Sequence, residues 1–163
     1  MTNAEDKVHG CILGLAIGDA LGYPTEFMSF DTIHEQFGPS DVQDFEPSSH
    51  HPPGTFTDDT QMTIAVAVAL IEAGHRDLDE LMHVMGKRFV EWSESPDNNR
   101  APGNTCMAGC RNLKRGAARR DSGVKESKGC GSAMRAAPIG LFYDNLDQTV
   151  EVACSSSLLT HAH

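Results

Sequence analysis

The longest apolar stretch of the chain constrains its fold more than any other feature. Between Asp59 and Ala73 the sequence contains the run TIAVAVALIEA, which is almost entirely apolar, and Gly74 follows it. A segment of 15 residues is too long for a typical strand and suits a central helix that a glycine ends. The run therefore predicts a buried helix over residues 59–73.

Apolar residues recur at helical spacing in other segments, and no segment shows the alternation typical of strands. The further predicted helices cover residues 6–21 (buried), 29–37, 77–92, 104–118 and a last segment capped by Asp147 and ending near Leu159. A segment over residues 131–142 starts with glycine and contains Pro138, and residues 38–56 predict a long loop rich in Gly and Pro. The predicted fold class is all-α, in one domain over residues 1–163.

Glycines recur every fourth residue along the first predicted helix, at Gly10, Gly14, Gly18 and Gly22. Such a bare strip is typical either of close helix packing or of a backbone approached by a ligand, and we favour packing.

The charge and the cysteines limit the class of protein. With 13 Lys and Arg against 23 Asp and Glu, the formal charge is −10, which argues against a general nucleic-acid or membrane-surface binder. No apolar run approaches the roughly 20 residues that span a bilayer, and the N-terminus is too acidic for a targeting peptide.

The five cysteines form no CxxC pair, so we expect packed, reduced thiols in a cytoplasmic protein, with zinc or a disulfide as the minor alternative. A basic stretch over residues 111–128 is interpreted as a helix end and solvated loop rather than an anion-binding patch.

Two adjacent acids stand at the start of the apolar helix, in the segment Phe56-Thr57-Asp58-Asp59-Thr60-Gln61. Asp58 as N-cap and Gln61 at the third helical position would form a capping box. A capping box explains one carboxylate but not two that repel each other, and a hard cation such as Mg²⁺ would relieve that repulsion. The spacing leaves capping and metal binding equally open.

Three other segments bear residues suited to a site. Glu26 follows a Gly/Pro turn and is either a surface acid or a carboxylate that orients water. Gly129-Cys130-Gly131-Ser132 and Pro102-Gly103-Asn104-Thr105 each precede a helical segment, where backbone N–H groups suit phosphate. The terminal Thr160-His161-Ala162-His163 is read as a frayed, solvated tail rather than a metal site.

Taken in order, five stretches resemble the ADP-ribosylglycohydrolase family of the dinitrogenase reductase-activating glycohydrolase type. They are GCILGLAIGDALGYPTEF (10–27), TFTDDTQMTIAVA (55–67), PGNTC (102–106), GSAMRAAPIGL (131–141) and THAH (160–163). The resemblance implies an all-α fold with two Mg²⁺ or Mn²⁺ ions. It also implies hydrolysis of the bond between ADP-ribose and a protein side chain or related acceptor, so the expected partner is an ADP-ribosylated protein or an ADP-ribose-containing small molecule.

The resemblance also assigns roles to particular residues. Thr57, Asp58 and Asp59 match metal ligands, and Glu26 and Asp58 are the implied catalytic residues. The implied substrate-binding residues are Gly103, Asn104 and Thr105 along the diphosphate, Gly131, Ser132 and Met134 beside the ADP-ribose, and His161 in the same cleft.

The sequence departs from the family pattern at two places. Cys130 stands where the family usually has Asn, and nothing matches the family's second metal motif, Asp-x-Asp-Thr. The chain thus resembles the N-terminal half of the family domain. The first hypothesis is an ADP-ribosyl hydrolase or its fragment, completed by a second polypeptide or a downstream reading frame. The second is a truncated non-catalytic relative that at most binds ADP-ribose or a nucleotide, and the third is a helical remnant that binds nothing. A half domain also predicts an exposed apolar face and self-association.

Overall fold

The computed structural model describes residues 3–48, 51–74 and 77–162, and the chain divides into two compact units, Met1–Thr57 and Asp58–His163. The all-α prediction is confirmed, since the described residues form helices and only two isolated bridges, Ser48 with His51 and Val124 with His161. The prediction of one domain stays a prediction. No helix in these ranges is both long and apolar enough to cross a membrane.

The first unit contains α1 (Ala4–Gly22), a 3₁₀ turn (Tyr23–Thr25) and α2 (Phe30–Phe37). The second contains α3 (Asp58–Ala73), α4 (Leu78–Ser93), α5 (Asn104–Lys114), α6 (Arg119–Ser122), a 3₁₀ turn (Ala133–Arg135), α7 (Ala137–Phe142) and α8 (Leu146–Leu158).

Helix α1 lies where it was predicted, but the prediction that it is buried is wrong. Ala20 is its only buried residue, while Leu13 is 60% exposed and Ile17 48% exposed. The other elements of the first unit are a short turn and the eight-residue α2, which are too small to cover a long helix. A Cβ built on any of the four α1 glycines has nothing within 4 Å, so the expected close packing is not made by the described residues.

Helices α3 and α4 form the core of the second unit. Met62 and Leu70 of α3 and Met85 and Phe89 of α4 are at most 1% exposed. Asp77 caps α4, because its carboxylate accepts the N–H of Glu80 at 2.9 Å. Helix α5 packs on α4, and α7 packs on α3.

The apolar run of α3 is only half buried. On its other side Ile64, Val68 and Ile71 are exposed, the last at 77%. The expected apolar face is therefore present on this helix.

Two predicted helix boundaries were wrong. Helix α5 ends at Lys114 rather than at residue 118, because Gly116 turns the chain with a φ of +86°. Asn145, not Asp147, caps α8: its side chain accepts the N–H of Gln148 at 3.0 Å.

One glycine brings α5 against the end of the chain. A Cβ on Gly109 would lie 2.5 Å from the Cα of Thr160 and 2.8 Å from the carbonyl oxygen of Leu159. Only glycine allows this approach, which brings the first turns of α5 close to the segment that follows α8.

Candidate functional site

Asp58 joins the start of α3 to the turn before α5. Its backbone N–H donates to the carbonyl of Arg100 at 3.1 Å, and its Oδ2 accepts the N–H of Gly103 at 2.9 Å. Asp58 is only 6% exposed. Between these two bonds Ala101 adopts a φ of +52°, a costly conformation for a residue with a Cβ. One residue thus fixes both ends of the turn.

The predicted capping box between Asp58 and Gln61 is wrong. The helix begins at Asp58 itself, whose N–H is bound to Arg100. The side chain of Gln61 instead accepts the indole N–H of Trp92 at 3.0 Å and donates to the carbonyl of Asp97 at 2.9 Å. Capping was the competing explanation of the acidic pair, and the structure does not support it.

In the first unit, Thr57 is held by Asp19. The Thr57 N–H donates to Oδ2 of Asp19 at 2.8 Å, and its hydroxyl donates to Oδ1 at 2.7 Å. Sequence reasoning treated Asp19 only as a position in the helical repeat. The available signal was an acid that directly follows the apolar, glycine-rich run over residues 10–18 of the same helix.

The residue types of the predicted metal ligands fit a hard divalent cation. The hydroxyl hydrogen of Thr57 is directed to Asp19, and that bond does not use the lone pairs of Oγ1. Asp58 and Asp59 add carboxylate oxygens, which Mg²⁺ prefers. Over residues 3–48, 51–74 and 77–162 no group of three or more His, Cys, Asp or Glu side chains is arranged to hold a metal, and metal binding by this set stays a prediction. Glu26 is exposed and follows the 3₁₀ turn of the first unit.

Several predicted substrate-binding residues meet at the loop around residues 129–131. A Cβ on Gly129 would lie 3.2 Å from Oγ1 of Thr105 and 3.4 Å from Nε2 of His161. A Cβ on Gly131 would lie 3.0 Å from Sγ of Cys106 and 3.5 Å from the same nitrogen of His161. The glycines therefore let the loop pass closely over the first turn of α5 and the histidine.

The same region lies near the acidic pair. Burial raises the pKa of the Cys106 thiol, and the negative charges of Asp58 and Asp59 add to that rise. A Cβ on Gly103 would lie 3.6 Å from Oδ2 of Asp58 and 3.9 Å from Sγ of Cys106. The thiol thus lies between the start of α3 and the glycine loop.

The remaining predicted substrate-binding residues lie at or next to the starts of α5 and of the second 3₁₀ turn. Asn104 is the exposed first residue of α5, and Ser132 precedes the second 3₁₀ turn. The carbonyl of Met134 accepts the hydroxyl of Thr63 at 2.9 Å, which ties that turn to α3.

The prediction of a frayed tail is wrong for Thr160 and His161. Thr160 is fully buried and His161 is 4% exposed. Val124 pairs with this segment: its N–H donates to the carbonyl of Thr160 at 2.9 Å, and its carbonyl accepts the N–H of Ala162 at 3.0 Å. His163 lies outside the described residues.

Sequence reasoning missed Arg135, the largest fully buried side chain among the residues that the structure describes. Its guanidinium carbon lies 4.5 Å from the ring centre of Phe89. It donates to the carbonyl of Ser156 at 3.1 Å, to that of Gly131 at 3.3 Å and to the hydroxyl of Thr160 at 2.7 Å. Burial lowers the pKa of this guanidinium. One side chain thus ties the glycine loop to the end of α8.

Known proteins resemble this chain over nearly its whole length. The ADP-ribosylglycohydrolase family model matches residues 1–163. An uncharacterised protein of Archaeoglobus fulgidus is 37% identical over 96% of this chain and 50% of its own length. The ADP-ribosylarginine hydrolase Tri1 of Serratia proteamaculans is 32% identical over 96% of this chain and 42% of its own length.

A solved structure described as an ADP-ribosylglycohydrolase-related protein complex superposes with a TM-score of 0.74 and 27% identity. The match covers 99% of this chain and 51% of that one. The chain belongs to the ADP-ribosylglycohydrolase family and spans about half the length of the curated relatives it matches.

Proposed function

We propose that this chain contributes to divalent-metal-dependent hydrolysis of the glycosidic bond between ADP-ribose and a modified protein side chain or related acceptor. The observation that carries the proposal is the position of Asp58. Its buried carboxylate stands beside a second acid and holds the loop that starts α5, so one residue links the predicted metal ligands to the predicted diphosphate loop.

Each group has a role that its chemistry supports. Thr57, Asp58 and Asp59 would hold Mg²⁺ or Mn²⁺, which when bound supplies a water of lowered pKa. Asp19 keeps the Thr57 hydroxyl in one orientation. The exposed carboxylate of Glu26 would assist as positive charge develops at the anomeric carbon.

The substrate-binding roles rest on the second unit. The N–H groups in the first turn of a helix have no partner within that helix. Asn104 and Thr105 bring two such groups to the start of α5, where the helix dipole favours a diphosphate. Gly131, Ser132, Met134 and His161 would lie along the rest of the ADP-ribose.

A second candidate function is ADP-ribose binding without catalysis. This candidate draws only on the first turn of α5 and the glycine loop around residues 129–131, and it needs none of the predicted metal ligands. We propose that a second polypeptide or a second copy of this chain associates through one apolar surface. This surface is the exposed face of α3 formed by Ile64, Val68 and Ile71.

Turnover separates the two candidates. The chain is incubated with an ADP-ribosyl-arginine or ADP-ribosyl-serine peptide and MgCl₂, and release of ADP-ribose is followed. Release that is abolished by EDTA and by Asp58→Asn, but continues in Glu126→Gln, supports hydrolysis. Glu126 serves as the control because it is an exposed loop acid of the same unit. Binding of ADP-ribose without release selects the second candidate, and neither binding nor release refutes both.

A further inference from the structure

The hydroxyl of Thr160 stands between a guanidinium and an imidazole. Nη2 of Arg135 donates to Thr160 Oγ1 at 2.7 Å, and Oγ1 lies 2.8 Å from Nδ1 of His161. Arg135 and His161 are the two hydrogen-bond partners of this hydroxyl within the described part of the chain. Thr160 is 0% exposed. The three side chains form a short relay that ends on the histidine ring.

The direction of the second hydrogen bond follows from the first. A guanidinium has no acceptor, so Thr160 must accept from Arg135. The hydroxyl then has one hydrogen to place, and Nδ1 of His161 is the atom in reach. If Nδ1 carried a proton instead, the buried threonine hydrogen would lack an acceptor, at a cost of about 1–3 kcal/mol.

We propose that Arg135 acts through Thr160 to hold His161 as the neutral tautomer with its proton on Nε2. Arg135 and Thr160 are then positioning residues, and the ring N–H of His161 is on Nε2. This nitrogen lies on the side of Gly129 and Gly131, 3.4 and 3.5 Å from the positions of their added Cβ atoms.

The tautomer specifies the kind of atom that His161 contacts in a ligand. An Nε2–H can bind an acceptor, such as a phosphate, carbonyl or ring-nitrogen atom, and cannot ligate a metal or take a proton while it remains protonated. That consequence rests on the proposed function, because it takes ADP-ribose to be the ligand at the glycine loop.

The backbone also supports a fixed ring. Val124 pairs with the segment on both sides of His161, and the N–H of His161 donates to the carbonyl of Ser157 at 2.7 Å. The main chain and Nδ1 are therefore both held, which leaves the ring little freedom to flip.

Long-range ¹H–¹⁵N correlation spectra of the histidine side chains test the proposal directly. The His161 ring is assigned by its loss in His161→Gln. We expect a pyridine-type Nδ1 and a pyrrole-type Nε2 in the wild-type chain at neutral pH. A pyrrole-type Nδ1 overturns the proposal, whether the ring is neutral or doubly protonated.

Two variants of Thr160 test the relay itself. Thr160→Val cannot donate to Nδ1, so we expect the His161 resonances to move toward a mixture of tautomers. Thr160→Ser keeps the hydroxyl and should keep the wild-type pattern. If Thr160→Val does not fold, Arg135→Met, which removes the donor to Thr160 and so frees its hydroxyl to accept from Nδ1, should shift the same resonances. Unchanged resonances in a folded Thr160→Val or Arg135→Met protein overturn the relay.

Titration with ADP-ribose separates this inference from the proposed function. A shift of the Nε2 resonance supports a contact by the donor. If the tautomer is as stated and saturating ADP-ribose moves no His161 resonance, the proposed ligand is wrong and the relay stands. If ADP-ribose binds but Nδ1 carries the proton, the relay is wrong and the proposed ligand stands.

Discussion

Asp58 and Gly103, 45 residues apart in sequence, are joined by a 2.9 Å hydrogen bond from the glycine N–H to the carboxylate. The bond couples the acidic start of the central helix to the loop that begins α5. A change at either residue should therefore affect both the stability of the second unit and its ligand binding.

Removal of the Asp58 carboxylate should destabilise the second unit. Hydrogen bonds to charged groups contribute about 1.5–3 kcal/mol, so Asp58→Ala should lower the free energy of unfolding by about that amount. Urea denaturation in EDTA measures it. Glu126→Ala, in the same unit but exposed, should change stability by less than about 0.5 kcal/mol. A more stable Asp58→Ala protein would show instead that repulsion from Asp59 outweighs the bond to Gly103.

The contact between Asp19 and Thr57 predicts an effect on metal affinity. Asp19→Asn replaces one of the two carboxylate oxygens with an NH₂ group that cannot accept, so one of the two bonds to Thr57 is lost in this geometry. Loss of such a supporting partner typically costs about 10–100-fold in metal affinity. Calorimetric titration with MgCl₂ should show this loss for Asp19→Asn and none for Glu35→Gln, an exposed acid of the same unit. Equal affinities for wild type and Asp19→Asn would exclude Asp19 from orienting the threonine.

Gly109 should be intolerant of even one added methyl group. Its Cβ would lie 2.5 Å from the Cα of Thr160 and 2.8 Å from the carbonyl oxygen of Leu159, and both of these atoms belong to the backbone. We expect Gly109→Ala to lower the melting temperature and to broaden the resonances of His161. Gly140→Ala is the matched control, because a Cβ there meets nothing within 4 Å and alanine favours a helix by about 0.5–1 kcal/mol. A Gly109→Ala protein as stable as wild type would contradict the close approach.

The buried thiol of Cys110 predicts a loss of stability at alkaline pH. Burial raises its pKa from 9.0 to about 12. Above pH 9.0 the unfolded chain releases this proton while the folded chain keeps it, so stability falls as pH rises toward about 12. The slope from one group is at most about 1.4 kcal/mol per pH unit.

Urea unfolding under reducing conditions at several pH values isolates that contribution. In Cys110→Ala the decline of stability with pH should be shallower than in wild type, whereas Cys154→Ala, which alters an exposed thiol, should keep the wild-type decline. Identical declines in wild type and Cys110→Ala would show that Cys110 titrates alike in both states.

Local patterns predicted the elements that local forces determine. Helix α4 was predicted within one residue at each end, because its apolar face is regular and Asp77 is a strong cap. The acidic pair and the glycines near α5 could be singled out as candidates because their residue types are suited to cations and phosphates before any fold is known.

Features that depend on distant contacts could not be read from those patterns. The apolar composition of α1 predicted burial, but burial needs a covering element, and the first unit supplies none long enough. His161 was assigned to a solvated tail because its partners, Arg135 through Thr160 and the strand-like pairing of Val124, lie far from it in sequence. Arg135 itself stands among small residues that give no sign of a buried charge.

Calorimetric titration of ADP-ribose into the wild-type chain, in MgCl₂ and in EDTA, tests the central claim most directly. We expect saturable binding in MgCl₂ that weakens in EDTA and in Asp58→Asn, while Glu126→Gln binds like wild type. No saturable binding, or equal binding by wild type and Asp58→Asn with and without Mg²⁺, would contradict a metal-assisted ADP-ribose site at Asp58.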